Sequence, residues 1–454
     1  MTDFDPVTIA SQLASAYVQS TQEQLAARTQ AAQRTSTALN TLRSALSTFD
    51  TALAGLSSAS GTKGMREFSA TLDNTAIATA SASSKAQPGT YSFHVEQLAT
   101  AHQLAFEDLP AVPVALGGPL TVQLADGSSF NINLVGADTD GDGSISQAEI
   151  ARAINQAEGN QGKVTASVMN TDGQSRLLLS SGSTGADQAI SLDTSALPAG
   201  ALKDALQAPQ ELVAARDAIV WLGGQGGLQL QQASNTFTAI EGVSVTFTRA
   251  MAPGDTPVAL TVAADAGGTA ANVQKFVDAY NVLTKALDSL TKVDVASNGA
   301  SGAFATDAGV RALRSRLNTL IRQDFGGLTL VDLGIKADRS GTLTLDQGRL
   351  EKTLTAHPEA LDSVFGKASL TQNSGVLGAL NQYLESWLKS GSGQIASRTS
   401  TLELMQKRFD DRQVRLDAQY DMFYQRYLKQ FTQLQSLQAQ MSQTSGLFAS
   451  AGIF

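Results

Sequence analysis

From Thr21 to about Ser57 the chain holds no proline, and no glycine before Gly55. Leu39, Leu42, Leu46, Phe49, Leu53 and Leu56 recur at spacings of 3, 4, 3, 4 and 3, and Leu25 and Ala32 extend the series upstream by sevens. That is a heptad seam, the pattern by which helices wrap on one another. The other end repeats it. Leu402, Met405 and Phe409 begin a stripe that Leu416, Tyr420, Phe423, Tyr427, Phe431 and Leu434 continue, with Leu437 and Met441 beyond. Ile395 to Gln443 contains neither proline nor glycine. Helices of roughly 35–50 residues outrun the usual 8–20 of globular domains. A surface helix can satisfy its stripe on its own domain, but stripes this long call for a partner, and each end is the nearest partner for the other. The extreme tips, Met1–Ser20 and Gly446–Phe454, carry little patterning and are expected to be disordered until something docks on them.

The middle reads differently. Thr90 to Glu96, Leu120 to Leu124 and Ser129 to Val135 alternate at period two, as do Ala166 to Met169, Ser175 to Ser181, Gly242 to Thr248 and Val258 to Val262. Asp126-Gly127 and Asp172-Gly173 are turn signals between them. Helical patterns return at Ala271–Lys292, Asp307–Ile321 and Gly375–Lys389, with a Gly-rich loop at Ser297–Gly302. The fold class is therefore α+β: long terminal coiled-coil helices and a helical stalk domain with inserted β-rich domains. The expected boundaries are a terminal leg at 1–42 and 403–454 and a helical stalk at 43–72 and 266–402. A β-rich domain follows at 73–112 and 213–265, and a second at 113–212.

Composition excludes several functions. The net charge is −9 and the pI about 4.9, so nucleic acid, which needs a basic face, is not an expected partner. With no cysteine, disulfides, thiolate zinc sites and cysteine nucleophiles are ruled out. No window approaches the roughly 18–20 apolar residues of a membrane span. The N-terminus has no basic n-region, its first cationic side chain being Arg28. His94, His102 and His357 stand alone, Gly223 to Gly227 lacks the Lys-Ser/Thr of a phosphate loop, and Trp221 and Trp387 read as packing residues. No enzyme chemistry is expected.

One stretch does carry chemistry. Asp138 to Glu149, DTDGDGSISQAE, has the spacing of an EF-hand calcium loop. Asp138, Asp140 and Asp142 stand at positions 1, 3 and 5, Ser144 at 7 through its carbonyl, Ser146 at 9 and Glu149 at 12. Gly143 takes position 6, where the turn is sharp, and Ile145 position 8. Ser146-Gln-Ala-Glu149 is also a capping box, and Asp/Gly clusters make ordinary turns. A strand enters this loop and a helix leaves it, so the expected role is a structural calcium clamp rather than a sensor.

Several segments resemble the bacterial flagellar filament-capping family, flagellar hook-associated protein 2. Leu333-Gly-Ile, the run Asp338-Arg-Ser-Gly-Thr-Leu-Thr-Leu-Asp346, Leu350, Leu354, Pro358 and Val364-Phe365-Gly follow its C-terminal pattern. Ser234 to Phe247, Phe276-Val-Asp-Ala-Tyr-Asn281, Thr79 to Gln97, Ala153-Ile-Asn155 and Tyr427 to Leu434 are similar to other family segments. The calcium-type loop departs from the family, which has a short turn there. The resemblance implies a non-enzymatic protein, secreted through flagellar type III export with the help of an export chaperone. It would form a ring-shaped homo-oligomer at the filament tip and promote flagellin polymerisation. The residues expected to carry interaction are Leu39, Leu42, Leu46 and Phe49 at one end and Phe423, Tyr427, Phe431 and Leu434 at the other. The alternatives are another flagellar axial protein, or a calcium-dependent adhesin for host glycan or mucin.

Overall fold

The computed structural model describes residues 5–56, 64–107, 109–171, 173–294, 301–366 and 374–450. Asp172, most of the expected loop at 297–302 and the outermost tips lie outside the described residues. The chain opens with α1 (Pro6–Leu56). Strands β1 (Glu67–Leu72), β2 (Ala78–Ala82), β3 (Gly89–Gln97), β4 (Ala101–Glu107), β5 (Val112–Pro113), β6 (Pro119–Leu124), β7 (Ser129–Asn133) and β8 (Ser144–Ile145) come next. Then follow α2 (Gln147–Gln156), β9 (Val164–Thr171), β10 (Gln174–Thr184), β11 (Ile190–Asp193) and α3 (Ala201–Leu206). The β region ends with β12 (Gln210–Val213), β13 (Ala218–Leu222), β14 (Leu228–Gln232), β15 (Thr236–Phe237), β16 (Val243–Phe247) and β17 (Val258–Asp265). Helices α4 (Ala266–Thr291) and α5 (Ala308–Leu320) precede a hairpin of β18 (Ile335–Ala337) and β19 (Leu343–Leu345). The chain closes with α6 (Gln347–Ala356), α7 (Ala360–Phe365), α8 (Gly375–Leu388) and α9 (Gln394–Ser450). Contacts divide it into two units, Met1–Met65 with Thr269–Phe454, and Arg66–Gly268.

In the helical unit, the C-terminal half of α1 is a core element. Leu39, Leu42, Leu46, Phe49, Leu53 and Leu56 are buried among Val273, Phe276, Tyr280, Leu313, Phe365 and Leu384 from α4, α5, α7 and α8. The ring of Phe49 lies 6.5 Å from Phe276 and 6.0 Å from Tyr280, and Phe276 meets Phe365 edge-on at 5.1 Å. Such side chains contribute roughly 1.5–3 kcal/mol each when fully buried. Burial pushes the Tyr280 phenol up to about 12, and its hydroxyl donates to Asn318 Oδ1 at 3.1 Å. The root of α9 is fixed by Arg398, whose guanidinium donates to both carboxylate oxygens of Asp307 (2.5 and 3.1 Å) and lies over the Trp387 ring. Asp307 is also the N-cap of α5, accepting from Val310 N–H.

The β unit holds two cores, one inserted in the other. The outer one is built on the five-stranded sheet β1-β17-β3-β13-β14 and the small sheet β15-β16-β2, around Phe93, Val95, Val220, Phe247 and Leu260. The inner one lies among β12-β4-β10-β9, β11-β6-β7 and α2, around Phe106, Leu120, Ile132, Leu134, Ile150 and Leu177. Every ladder is antiparallel. The segment expected as a strand through Val135 ends at Asn133, because the Asn133 side chain accepts Val135 N–H and starts a 3-10 turn.

Three asparagines from the motif segments share one device. A carboxamide offers one donor and one acceptor in the spacing of a peptide, so it can pair with a backbone as a strand does. Asn281 brackets the N–H and C=O of Leu343, at 2.7 and 2.9 Å. Asn235 does the same to Ala99 and Asn155 to Ala166, at 2.7–2.9 Å. Asn281 and Asn235 join segments far apart in the chain, and Asn155 ties α2 to β9.

Candidate functional site: the paired terminal helices and the acidic loop

The N-terminal half of α1 packs along α9. The expectation of a disordered N-terminal tip is corrected for residues 6–20, which are helical. Asp5 and Pro6 explain the start. The Asp5 carboxylate accepts from Val7 and Thr8 N–H and from the Thr8 hydroxyl, and Pro6 takes the first helical position, where no N–H is needed. These hydrogen bonds, that of Thr8 first, hold the Asp5 carboxyl below the usual range. Ala10 and Ala14 are fully buried and Val18, Leu25 and Ala32 nearly so. Small residues let α9 approach closely, and α9 answers with aromatics. Tyr17 packs on Phe423 with ring centroids 3.8 Å apart, Ser11 Oγ is 3.2 Å from Tyr420 Oη, and Tyr420 stacks on Tyr424. The pairing residues Pro6, Ala10, Ala14 and Val18 were missed in the sequence because alanine carries little hydrophobic signal.

At the C-terminal end the helix continues through Ser450, so the expected disorder at Gly446–Ser450 is also corrected; 451–454 lie outside the described residues. Tyr420, Phe423 and Tyr427 are partly covered, whereas Leu434, Leu437 and Met441 are 41%, 53% and 65% exposed. The stripe thus runs on along α9 past its covered stretch. Beyond Lys429 the helix carries no ionisable side chain.

Of the eight interaction candidates, Leu39, Leu42, Leu46 and Phe49 are corrected. They are buried in the helical unit's core, at 4% exposure or less, and no partner reaches them without unfolding it. Phe423, Tyr427 and Phe431 are half-buried and Leu434 is exposed.

The acidic loop lies in the β unit between β7 and α2. Asp138 Oδ1 and Oδ2 accept from Gly141 and Gly143 N–H, at 2.7 and 3.1 Å. Gly141 and Gly143 have φ of 75° and 81°, a region that glycine enters without strain. Asp140 accepts from Asp142 N–H and Asp142 from Ser144 N–H, and Ser144-Ile145 pairs with Val112-Pro113. Carboxylate oxygens of Asp138, Asp140 and Glu149 lie within 4.8 Å of one another. Asp142 is not part of that group. Ser146 caps α2 and accepts from Glu149 N–H, while Glu149 Oε2 accepts from Ser146 N–H and hydroxyl, closing the capping box. Glu149 Oε1 accepts from Thr139 N–H at 2.8 Å. These donors, with Ser146 N–H first, push the Glu149 carboxyl down to about 2. An all-oxygen set of carboxylates suits a hard divalent cation.

The histidines do structural work. Ile190 N–H donates to His102 Nδ1 at 2.8 Å, so the ring proton sits on Nε2, 3.2 Å from Glu211 Oε1. His94 is buried in β3. Among the described residues no helix is long and apolar enough to cross a membrane.

Comparison with known proteins fits this geometry. The family profile of the flagellar hook-associated protein 2 C-terminus matches residues 215–443, and that of its N-terminus matches residues 2–102. The stretch between them holds the acidic loop. The lateral flagellar hook-associated protein 2 of Vibrio parahaemolyticus is 35% identical over 376 residues, which is 82% of this chain and 83% of the relative. The B-type flagellar hook-associated protein 2 of Pseudomonas aeruginosa is 30% identical over 427 residues, 89% of this chain and 86% of its own. The crystal structure of the D1-D2-D3 domains of the flagellar cap protein FliD from Escherichia coli superposes with a TM-score of 0.63 at 25% identity, covering 80% of this chain and 99% of that one. Paired terminal helices, a helical core and inserted β cores thus accompany the matching motifs, and the chain belongs to the flagellar hook-associated protein 2 family, the cap proteins of the flagellar filament.

Proposed function

We propose that this chain works as an oligomeric, secreted cap at the growing filament tip, guiding flagellin subunits into the lattice by binding alone. The observation that carries the reading is the far part of α9. Its exposed face of Leu434, Leu437 and Met441 continues the same stripe that grips α1, on a helix free of charge beyond Lys429. Burying it removes no ion from water, and each large side chain covered contributes roughly 1.5–3 kcal/mol. A handful of such contacts, reduced by the loss of freedom on docking, gives a grip a cap can release as it steps forward. Flagellin is the partner this face serves after secretion, and an export chaperone the one that covers it before. The test is complementation of a cap-deficient strain with a chain lacking 431–454. Filaments should fail to grow and flagellin should leak into the medium, while the β unit keeps its circular dichroism. Normal filaments with that truncation would end the reading.

We also propose that the acidic loop binds calcium, with Asp138, Asp140 and Glu149 as carboxylate ligands and Asp142, Ser144 and Ser146 completing the set. The ion would tie the end of β7 to the start of α2. The support is the convergence of the three carboxylates in a loop whose sequence matches an EF-hand at every ligand position. At 100 times Kd calcium should stabilise the β unit by about 2.7 kcal/mol. A melt of the full chain unchanged by calcium, or a calcium shift retained in Glu149→Gln, overturns this.

A further inference from the structure

A sheet edge is a row of unpaired backbone donors and acceptors, and proteins that must stay apart guard it with charge, proline, bulges or a cover. In the sheets built on β3, β4 and β6, every terminal strand but one is guarded. β9 is clasped by the carboxamides of Asn155 and Asn160, which bracket the backbones of Ala166 and Val164. β7 lies under the turn at 157–160, where Gly159 sits against Phe130. β12 carries Glu211 and is broken by a register shift, and β11 gives its first N–H to His102. β1 carries Glu67 and runs beside β2.

β14 has none of these devices. It is the last strand of the five-stranded sheet, with the sequence Leu-Gln-Leu-Gln-Gln and no charge, proline or bulge. Among the described residues its backbone makes no hydrogen bond outside its ladder with β13. Leu228 at its start is 63% exposed.

Charge says what can meet this edge. Arg66–Gly268 carries 20 Asp and Glu against 8 Lys and Arg, a net of −12, whereas the rest of the chain carries 21 against 24. None of those 28 charges lies between Ala218 and Ile240, the stretch that forms β13 and β14. A basic partner would seek the acidic surface and has no reason to choose this strip. Two copies of the same acidic unit repel each other elsewhere and approach at lower electrostatic cost here, where the one carboxylate seen touching the strand, Asp217, is held by Gln231 Nε2 and Ala186 N–H.

We propose that the free edge of β14 is a seam between copies of this chain, where a strand of a neighbouring β unit adds to the sheet by main-chain hydrogen bonds. The proposal rests on the reading of this protein as a self-assembling cap and names a surface for that assembly. Backbone pairing supplies register, and the scarcity of charge leaves the contact only weakly sensitive to salt.

The test uses the full chain in sedimentation velocity over a concentration series, with Gln229→Glu as the variant, since the Gln231 amide is already tied to the Asp217 carboxylate at 3.0 Å. Wild type should form multimers. The variant should keep its thermal melt but need at least about tenfold more protein to assemble, because an added carboxylate now meets an acidic neighbouring unit at the seam. Hydrogen exchange is the second readout and needs no substitution: amides of Leu228–Gln232 should exchange at least about tenfold more slowly in the assembled wild type than in the dilute monomer. Wild-type multimers with unprotected β14 amides, or a variant that assembles as wild type does, overturn the seam alone. A wild type that stays monomeric at every concentration overturns the self-assembly reading on which it rests.

Discussion

The two halves of α1 carry one helical stripe and put it to opposite uses. Between Leu39 and Leu56 the stripe is made of large side chains and disappears into a core shared with the other helices of the unit. Between Pro6 and Ala32 it is made of proline, alanine, valine and one leucine, and it meets a single helix, α9. The first half stabilises a domain; the second builds a two-helix strip with open sides. What a heptad position does is decided by how many neighbours surround it, and the residue sizes record that number. A crowded core takes Phe49, while a close two-helix approach takes Ala10 and Ala14.

Substitutions along these helices should break or sharpen that contrast. The largest effect is expected in the inner half: Phe49→Ala should destabilise the helical unit by about 3–5 kcal/mol. Urea unfolding followed at Trp387 in a Trp221→Phe background would measure it. In the outer half, Ala14→Leu should cost about 1–3 kcal/mol by forcing the pair apart. The loss should appear as faster hydrogen exchange in residues 6–32 with the Trp387 transition unmoved. At the root of α9, acid is the probe. The Arg398 guanidinium beside Asp307 holds that carboxyl below its usual range. A depressed folded pKa gives stability that is complete above the unfolded value near pH 4 and drains away as pH falls through the folded one. Asp307→Asn should therefore flatten the acid limb of the stability curve below about pH 4. The smallest change belongs to Leu437→Ser/Met441→Ser, within about 0.5 kcal/mol of wild type in urea, because both side chains are already in solvent. Its effect should appear in filament growth instead. A shift of the Trp387 transition there would mean the exposed end is packed after all.

The long stripes were legible because 3.6-residue periodicity survives without knowing the neighbours. Their environments were not, since Leu39 and Leu434 look alike in a seam yet one is buried and the other lies in water. The start of α1 was written in Asp5-Pro6, a cap followed by the residue best suited to the first turn, but weak patterning after it hid the signal. The motif letters Asn155, Asn235 and Asn281 were visible, and their role was not. Each closes on a backbone brought near by the fold, 62 positions along the chain in the case of Asn281 and Leu343. β14 escaped because five residues of alternating Leu and Gln after a glycine-rich turn read equally well as loop. In the acidic loop the spacing foretold the turn and the capping box, but not that Asp142 would accept from Ser144 N–H outside the group formed by Asp138, Asp140 and Glu149.

The continuity of α9 has a mechanical consequence. A helix of 57 residues is about 86 Å long, and Arg398 anchors it near one end. Tilting such a rod by about 5° at its root sweeps the far end through roughly 7 Å, more than the 5.4 Å pitch of a helical turn. Flexing too slight to disturb any packed ring around Trp387 would thus carry the distal tip across more than one helical turn of whatever surface it meets.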